Sequence, residues 1–182
     1  MTGLLAAFGL AAATGLNAYL PLLIVGLLAR YTHFIALKTP WSALTHPEVL
    51  VILAVLLAIE ITVDKIPAVD TVNDVIQTVI RPAAGAVLFA ASGNVISNLS
   101  PVLAMVCGLL IAGGVHTVKA TARPAVTAGT LGTANPAVSL AEDVVSGVTT
   151  FIAVVAPAVL AALALLLVFW LLRRRQRKES QR

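Results

Sequence analysis

Ionisable side chains recur at helical spacing in two stretches of an otherwise apolar chain, and these residues could do chemistry. His116, Lys119 and Arg123 are separated by three and then four residues, a spacing that predicts a common helix face. Asp74 and Arg81 are seven residues apart, so a helix would place them on one stripe as well. Charged stripes on apolar helices indicate surfaces that face protein or water rather than lipid.

A binding site is therefore predicted where these stripes meet. Its candidate residues are Glu60, Lys65, Asp74, Arg81, His116, Lys119, Arg123 and Asp143. The three residues Arg81, Lys119 and Arg123 would hold an anion, while Asp74 and Asp143 would balance its charge or exchange protons. The alternative is that the charged residues, among them Asp64 and Glu142, form only salt bridges and helix caps that orient the helices.

Other site classes lack sequence support. His116 has no second His or Cys at ligand spacing, so no metal site is expected, and no cofactor is predicted. The chain lacks the GxSxG, HExxH and CxxC patterns, so nothing indicates a hydrolase, metalloprotease or redox enzyme. Whether the protein is an enzyme stays open, and a non-enzyme is favoured. Five of the twelve basic residues lie within residues 173–178, which indicates a membrane-topology signal rather than a nucleic-acid partner.

The composition predicts that the elements positioning these residues lie in a membrane. The 182 residues are 59% hydrophobic and only 11% charged, with a mean hydropathy of +1.00, well outside the range of soluble domains. A crossing needs about 20 apolar residues. We predict an all-α integral membrane bundle of five transmembrane helices, with membrane lipids as partners and, because five helices scarcely enclose a path, a homo-oligomer.

The five predicted segments form one transmembrane domain over residues 1–172, followed by a basic tail at residues 173–182. They are TM1 at 3–29, TM2 at 48–66, TM3 at 70–96, TM4 at 99–119 and TM5 at 141–172. TM3 is either a crossing with a polar face or a re-entrant segment. Pro124 is expected to end the helix of TM4, so that a Thr/Gly-rich connection leads to TM5.

A short internal repeat relates TM2–TM3 to TM4–TM5. Residues 73–79 (NDVIQTV) match residues 142–148 (EDVVSGV), and each follows a helix that ends near a lysine. Lys65 would then correspond to Lys119, and Asp74 to Asp143. The lysine-to-aspartate spacing is 9 residues in the first copy and 24 in the second. The second copy would carry the Thr/Gly-rich connection as an insertion.

The charge distribution predicts an orientation. With five crossings, one face carries eight cations in the loop after TM1 and in the tail, and the other carries four. Because cations are enriched in cytoplasmic loops, the tail is predicted in the cytoplasm and the N-terminus outside. The candidate site then lies at the non-cytoplasmic ends of TM2–TM5.

Three stretches resemble a known family: GLNAYLPLL in TM1, HTVKATARP after TM4 and ANPAVSLAEDV at the start of TM5. Over residues 9–167 the chain is similar to small bacterial membrane proteins whose shared domain has no known function. The resemblance implies a multispanning protein of the bacterial cytoplasmic membrane. It supplies no catalytic residues.

Three functions agree with this reading. The first is a small transporter or channel-like protein for a polar or anionic solute or a lipid headgroup. The second is an intramembrane enzyme acting on a lipid-linked phosphate, with Lys119 and Arg123 as phosphate ligands and Asp74 or Asp143 as general acid or base. The third is a scaffold without catalytic activity.

Overall fold

The chain is helical throughout the part that the structure describes. A computed structural model describes residues 2–92 and 99–179, and within them there are six α-helices, one 3₁₀ helix and no β-strand. The helices are α1 Thr2–Leu16, α2 Tyr19–Tyr31, α3 Pro47–Val63, α4 Pro67–Ala91, α5 Pro101–Thr130 and α6 Asn135–Glu179, with the 3₁₀ helix at Trp41–Thr45. The prediction of an all-α fold is confirmed. Residues 93–96 of TM3 and 180–182 of the tail lie outside the described residues.

Proline marks the start of three helices. Pro47, Pro67 and Pro101 each occupy the first turn of their helix, where the missing N–H costs no hydrogen bond. Ser100 caps α5 by accepting a hydrogen bond from the Leu103 amide at 3.2 Å. These local signals define where α3, α4 and α5 begin.

Within the described residues, three helices are long and apolar enough to cross a membrane. They comprise Val72–Ala91, Pro101–Thr130 and Asn135–Ala156, and two shorter apolar helices span Gly3–Leu16 and Tyr19–Tyr31. Large apolar side chains are widely exposed on the helices, for example Val79 at 73% and Leu110 at 66%. Exposed apolar surface of this extent indicates a lipid or protein environment. These features indicate a membrane protein, and the number of crossings stays a prediction.

Several boundaries differ from those predicted, since α4 begins at Pro67 and α6 at Asn135 instead of residues 70 and 141. The first segment is not one helix, because residues 17 and 18 interrupt it between α1 and α2. Pro124 does not end its helix either, since α5 continues to Thr130 with Pro124 inside it. The turn to α6 follows at Leu131 and Gly132, which both have positive φ angles of 50° and 79°, a left-handed ending common after helices.

The packing centres on α1, which contacts α4, α5 and α6, while α2 packs against α3 and α6. Helices α4 and α5 run antiparallel and pack most closely. Their approach passes through Gly85 and Gly108, where a side chain on either glycine would collide with the other helix. Small residues permit such close helix contacts in membranes, and this contact fixes the charged stripes of α4 and α5 against each other.

Candidate functional site

Nine ionisable side chains meet around the break between α1 and α2. We call them the charged network: Glu60, Asp64, Asp74, Arg81, His116, Lys119, Arg123, Glu142 and Asp143. Six of the nine are no more than 5% exposed. Arg81 lies within the candidate span of α4, Lys119 and Arg123 within that of α5, and Glu142 and Asp143 within that of α6. The network is therefore inside the helical bundle.

Arg81 holds one half of the network. It is fully buried, and its Nη2 lies 3.0 Å from Glu60 Oε1 and 3.5 Å from Asp64 Oδ2. Its Nη1 lies 3.7 Å from Asp74 Oδ1. A guanidinium suits this position because its five N–H groups point in fixed directions that reach several acceptors. One cation thereby compensates three carboxylates.

The same guanidinium fixes the tautomer of His116. Arg81 Nη1 lies 3.0 Å from His116 Nδ1, and since arginine only donates, Nδ1 must accept. The imidazole proton therefore sits on Nε2, which donates to Thr78 Oγ1 at 3.1 Å. Thr78 in turn donates to the Asp74 carbonyl at 2.8 Å. His116 is thus neutral in this arrangement and adds no positive charge.

Lys119 and Arg123 hold the other half. Lys119 Nζ lies 3.2 Å from Asp64 Oδ2 and 3.1 Å from Glu142 Oε2. Arg123 Nη2 lies 2.6 Å from the same Glu142 oxygen, and its Nη1 donates to the Asp64 carbonyl at 3.3 Å. Asp64 also accepts a hydrogen bond from Asn73 Nδ2 at 2.7 Å. Asp64 therefore joins the two halves of the network. Glu142, which lies on α6, bridges the two cations of α5.

The break between α1 and α2 supplies backbone groups to the network. The Leu16 carbonyl at the end of α1 accepts a hydrogen bond from Lys119 Nζ at 3.1 Å. The Ala18 amide before α2 donates to Glu60 Oε1 at 3.3 Å. Helix ends leave such groups without helical partners, and here charged side chains satisfy them. The unwound backbone is thus part of the site.

Asn17 holds the break in place. Its Oδ1 accepts from the amides of Tyr19 at 3.1 Å and Leu20 at 2.8 Å, which caps the start of α2. Its Nδ2 donates to Asp143 Oδ1 at 2.8 Å. A single side chain therefore joins the α2 terminus to α6.

Asn17→Ala is expected to lower the free energy of unfolding by about 1 kcal/mol or more, because it removes the cap and leaves Asp143 Oδ1 without its donor. Thermal unfolding in detergent measures the loss. Asn17→Ser retains an oxygen that accepts from the α2 amides and should be affected less. Equal melting temperatures for wild type and both variants would contradict the capping role of Asn17.

The charge of the network is not balanced by its own residues. Five carboxylates, Glu60, Asp64, Asp74, Glu142 and Asp143, face three cations, Arg81, Lys119 and Arg123. Three buried carboxylate oxygens accept no hydrogen bond from the described residues: Glu60 Oε2, Asp74 Oδ1 and Asp143 Oδ2. Leaving charged oxygens buried without partners is costly. The arrangement therefore suits binding of a positively charged group or of protons.

Seven of the eight sequence-predicted site residues come together here. Lys65 does not, because its side chain is exposed whereas Lys119, its partner in the proposed repeat, is 5% exposed. The repeat itself stays a prediction. The sequence analysis assigns Asp64 and Glu142 to salt bridges only and does not include Asn17 among the candidates, yet all three contact other members of the network. One signal was available for Asp64, which follows Glu60 by four residues and so shares its helix face.

Metal binding finds no support in the described part of the chain, where no group of three or more His, Cys, Asp or Glu side chains could hold an ion. What the site offers is paired charges of both signs, a neutral imidazole and backbone groups that bond to charged side chains. These are suited to binding a polar ligand or transferring protons.

Comparison with known proteins gives one match. Residues 4–177 match the family described as "Domain of unknown function (DUF4126)". No curated protein and no solved structure matches the chain.

Proposed function

We propose a transport function for this chain, which belongs to the DUF4126 family. It is a small carrier of a polar or anionic solute or a lipid headgroup in the bacterial cytoplasmic membrane, and the charged network is its binding site. The chain spans the membrane several times with its basic tail in the cytoplasm, and it assembles as a homo-oligomer. The predicted single crossing by residues 3–29 is not retained, because α2 turns back beside α1.

The break between α1 and α2 carries this proposal. With 15 and 13 residues, the two helices are about 22 and 20 Å long, shorter than the roughly 30 Å hydrocarbon core. Neither helix crosses it alone, and α2 turns back beside α1, because Val25 of α2 lines a cavity together with Gly3 and Leu10 of α1. The turn at residues 16–18 therefore lies inside the helical bundle. Non-helical backbone is tolerated within the membrane only where protein or a polar cavity satisfies it. Discontinuous helices whose ends meet inside the protein form the substrate and ion sites of many transporters.

The contacts of Lys119 and Arg123 suggest how an anionic group binds. Both cations contact the same oxygen of Glu142, whose side chain is 16% exposed and so lies at the edge of the network. An anionic group of the solute takes the place of the Glu142 carboxylate between the two cations. The solute and Glu142 then alternate as partners, so the cations are never left buried without a counter-charge.

Lys119→Gln is expected to reduce transport at least about tenfold, since charge-assisted hydrogen bonds contribute more than neutral ones. The measurement is the transient current of proteoliposomes on a solid-supported membrane after addition of inorganic phosphate, acetate or phosphoethanolamine. Lys65→Gln is the matched control, because it removes an exposed lysine outside the network and should leave the current unchanged.

A structural role gives a different result. If the network only holds the helices together, wild-type protein produces no current above empty liposomes with any probe, and Lys119→Gln lowers the melting temperature instead. Where Lys119→Gln does not fold, Glu142→Gln serves as the second variant. It keeps the side-chain length but removes the negative charge that competes with the solute for Lys119 and Arg123. It should therefore alter the current, and the purified protein should stay monodisperse.

A further inference from the structure

We infer that the cleft between α4 and α5 binds the headgroup of a membrane lipid that carries both an ammonium and a phosphate. This inference rests on the proposed transport function and names a substrate class for it. The cleft has a volume of about 550 Å³ and is lined by Asp74, Val75, Thr78, Ala120, Arg123, Pro124, Thr127 and Ala128. That volume falls in the range of roughly 300–1,000 Å³ typical of small-molecule sites.

The cleft lies on the network side of the glycine contact between the two helices. Close contacts join Gly85 to Gly108 and Ala112, and further along the two helices Thr78 contacts His116. Beyond this contact, the next turns of α4 and α5 form the two walls. Two of the wall residues, Asp74 and Arg123, also belong to the charged network, so a ligand in the cleft reaches the network directly.

Proline adds a backbone acceptor to one wall. Pro124 lies inside α5 and has no N–H, so the Ala120 carbonyl one turn earlier lacks its usual helical donor. Both residues line the cleft. A carbonyl without a helical partner is available to a donor from a ligand, and an ammonium offers three.

The two walls carry opposite charges. On α4, Asp74 Oδ1 is buried and accepts no hydrogen bond from the described residues, with only the Arg81 guanidinium at 3.7 Å. On α5, Arg123 presents a guanidinium, the group best matched to phosphate. An ammonium beside Asp74 gives its buried oxygen a donor, and a phosphate beside Arg123 takes the place of the Glu142 carboxylate, as in the proposed transport cycle. A purely anionic headgroup would leave Asp74 unsatisfied, and a quaternary amine has no N–H to donate to it.

The mouth of the cleft is apolar. Val75 lines it, and Val72 and Val79, which lie three and four residues away on the same side of α4, continue the row. These three side chains are 71%, 62% and 73% exposed. They belong to the candidate membrane span of α4, so the row faces the acyl chains. A ligand entering here keeps its apolar part outside and places its polar part between Asp74 and Arg123, as a lipid does.

Native mass spectrometry of the detergent-purified protein tests this inference with three lipids of equal chain length. Wild type should retain phosphatidylethanolamine about tenfold better than phosphatidylglycerol or phosphatidylcholine, as expected for one charge-assisted contact. Asp74→Asn should abolish that preference. Ala120→Leu, which fills the cleft without changing charge, should reduce retention, whereas the matched variant Ala122→Leu alters an exposed residue of α5 outside the cleft and should retain the lipid as wild type does.

Three outcomes would overturn the inference. They are equal retention of the three lipids by wild type, unchanged retention by Ala120→Leu, and displacement of the lipid by an equimolar amount of free phosphoethanolamine, which would identify a soluble zwitterion as the ligand. The test is independent of transport, because retention needs no membrane potential or flux. Selective retention without proteoliposome currents refutes transport of the soluble probes alone, and currents without selective retention refute the lipid site alone.

Discussion

Arg81→Met is expected to destabilise the protein by about 3–5 kcal/mol, the usual cost of removing one partner from a buried ion pair. Arg81 is fully buried and lies within 3.7 Å of Glu60, Asp64 and Asp74. Methionine is apolar and fills part of the same space, so the main loss is electrostatic. Three carboxylates in an already acidic network would lose their shared cation. Chemical unfolding in mixed micelles, followed by far-UV circular dichroism, measures the change.

Lys65→Met is the control for Arg81→Met, because it also replaces a cation by methionine but at an exposed position. It should change stability by no more than about 0.5 kcal/mol. Adding Glu60→Gln to Arg81→Met should recover part of the loss, since one of the uncompensated carboxylates is then removed. If Arg81→Met is as stable as Lys65→Met, Arg81 does not compensate the carboxylates around it.

Helical periodicity was sufficient to predict the face that carries the cations of α5. His116, Lys119 and Arg123 are 2%, 5% and 4% exposed, as expected for residues at i, i+3 and i+7 in an apolar helix. The same reasoning identified Asp74 and Arg81 on α4. Such predictions succeed because exposing a charged side chain to lipid is costly. The charged side chains of an apolar helix therefore indicate which side of it faces protein.

The break in the first segment could not be read from local propensity. Gly15 precedes it, but a side chain there would collide with the Ala112 carbonyl and with Val115 at 2.6 Å, so this glycine serves the contact with α5. Pro21 lies in the first turn of α2, after the break. The chain opens at residues 17 and 18 because Asn17, Lys119 and Glu60 offer alternative hydrogen bonds, two of them from distant parts of the sequence.

The prediction that Pro124 ends its helix is wrong because it considers only the local sequence. An isolated helix loses a hydrogen bond and meets a steric clash at an internal proline, which predicted a helix end. In α5 the helix continues, and Thr127 Oγ1, which accepts a hydrogen bond from the Asn135 side chain at 2.9 Å, ties its last turn to the start of α6. Prolines are tolerated inside membrane helices when neighbouring groups compensate. Contacts with other parts of the fold therefore determine whether the helix ends at Pro124 or continues through it.

The second large effect on stability is expected at Gly108, where α4 and α5 pack closely. Gly108→Ala is expected to destabilise the protein by about 1–3 kcal/mol, the usual range for overpacking. A Cβ at Gly108 would collide with the Gly85 carbonyl oxygen and lie 2.6 Å from Phe89 Cβ. A carbonyl oxygen is backbone and cannot turn away as a flexible side chain does, so the two helices must separate. The melting temperature in detergent measures the loss.

Gly114→Ala provides the matched control for Gly108→Ala, on the same helix and with the same chemical change. A Cβ at Gly114 meets nothing within 4 Å, so alanine should be neutral or stabilise the helix by up to about 1 kcal/mol. If Gly108→Ala destabilises the protein and Gly114→Ala does not, the loss of stability comes from the α4–α5 contact and not from helix propensity. Because Thr78 lines the cleft and lies about two turns from Gly85 on α4, separation of the helices should also weaken lipid retention in the cleft. A melting temperature for Gly108→Ala equal to or above that for Gly114→Ala would show that α4 and α5 do not pack through these glycines.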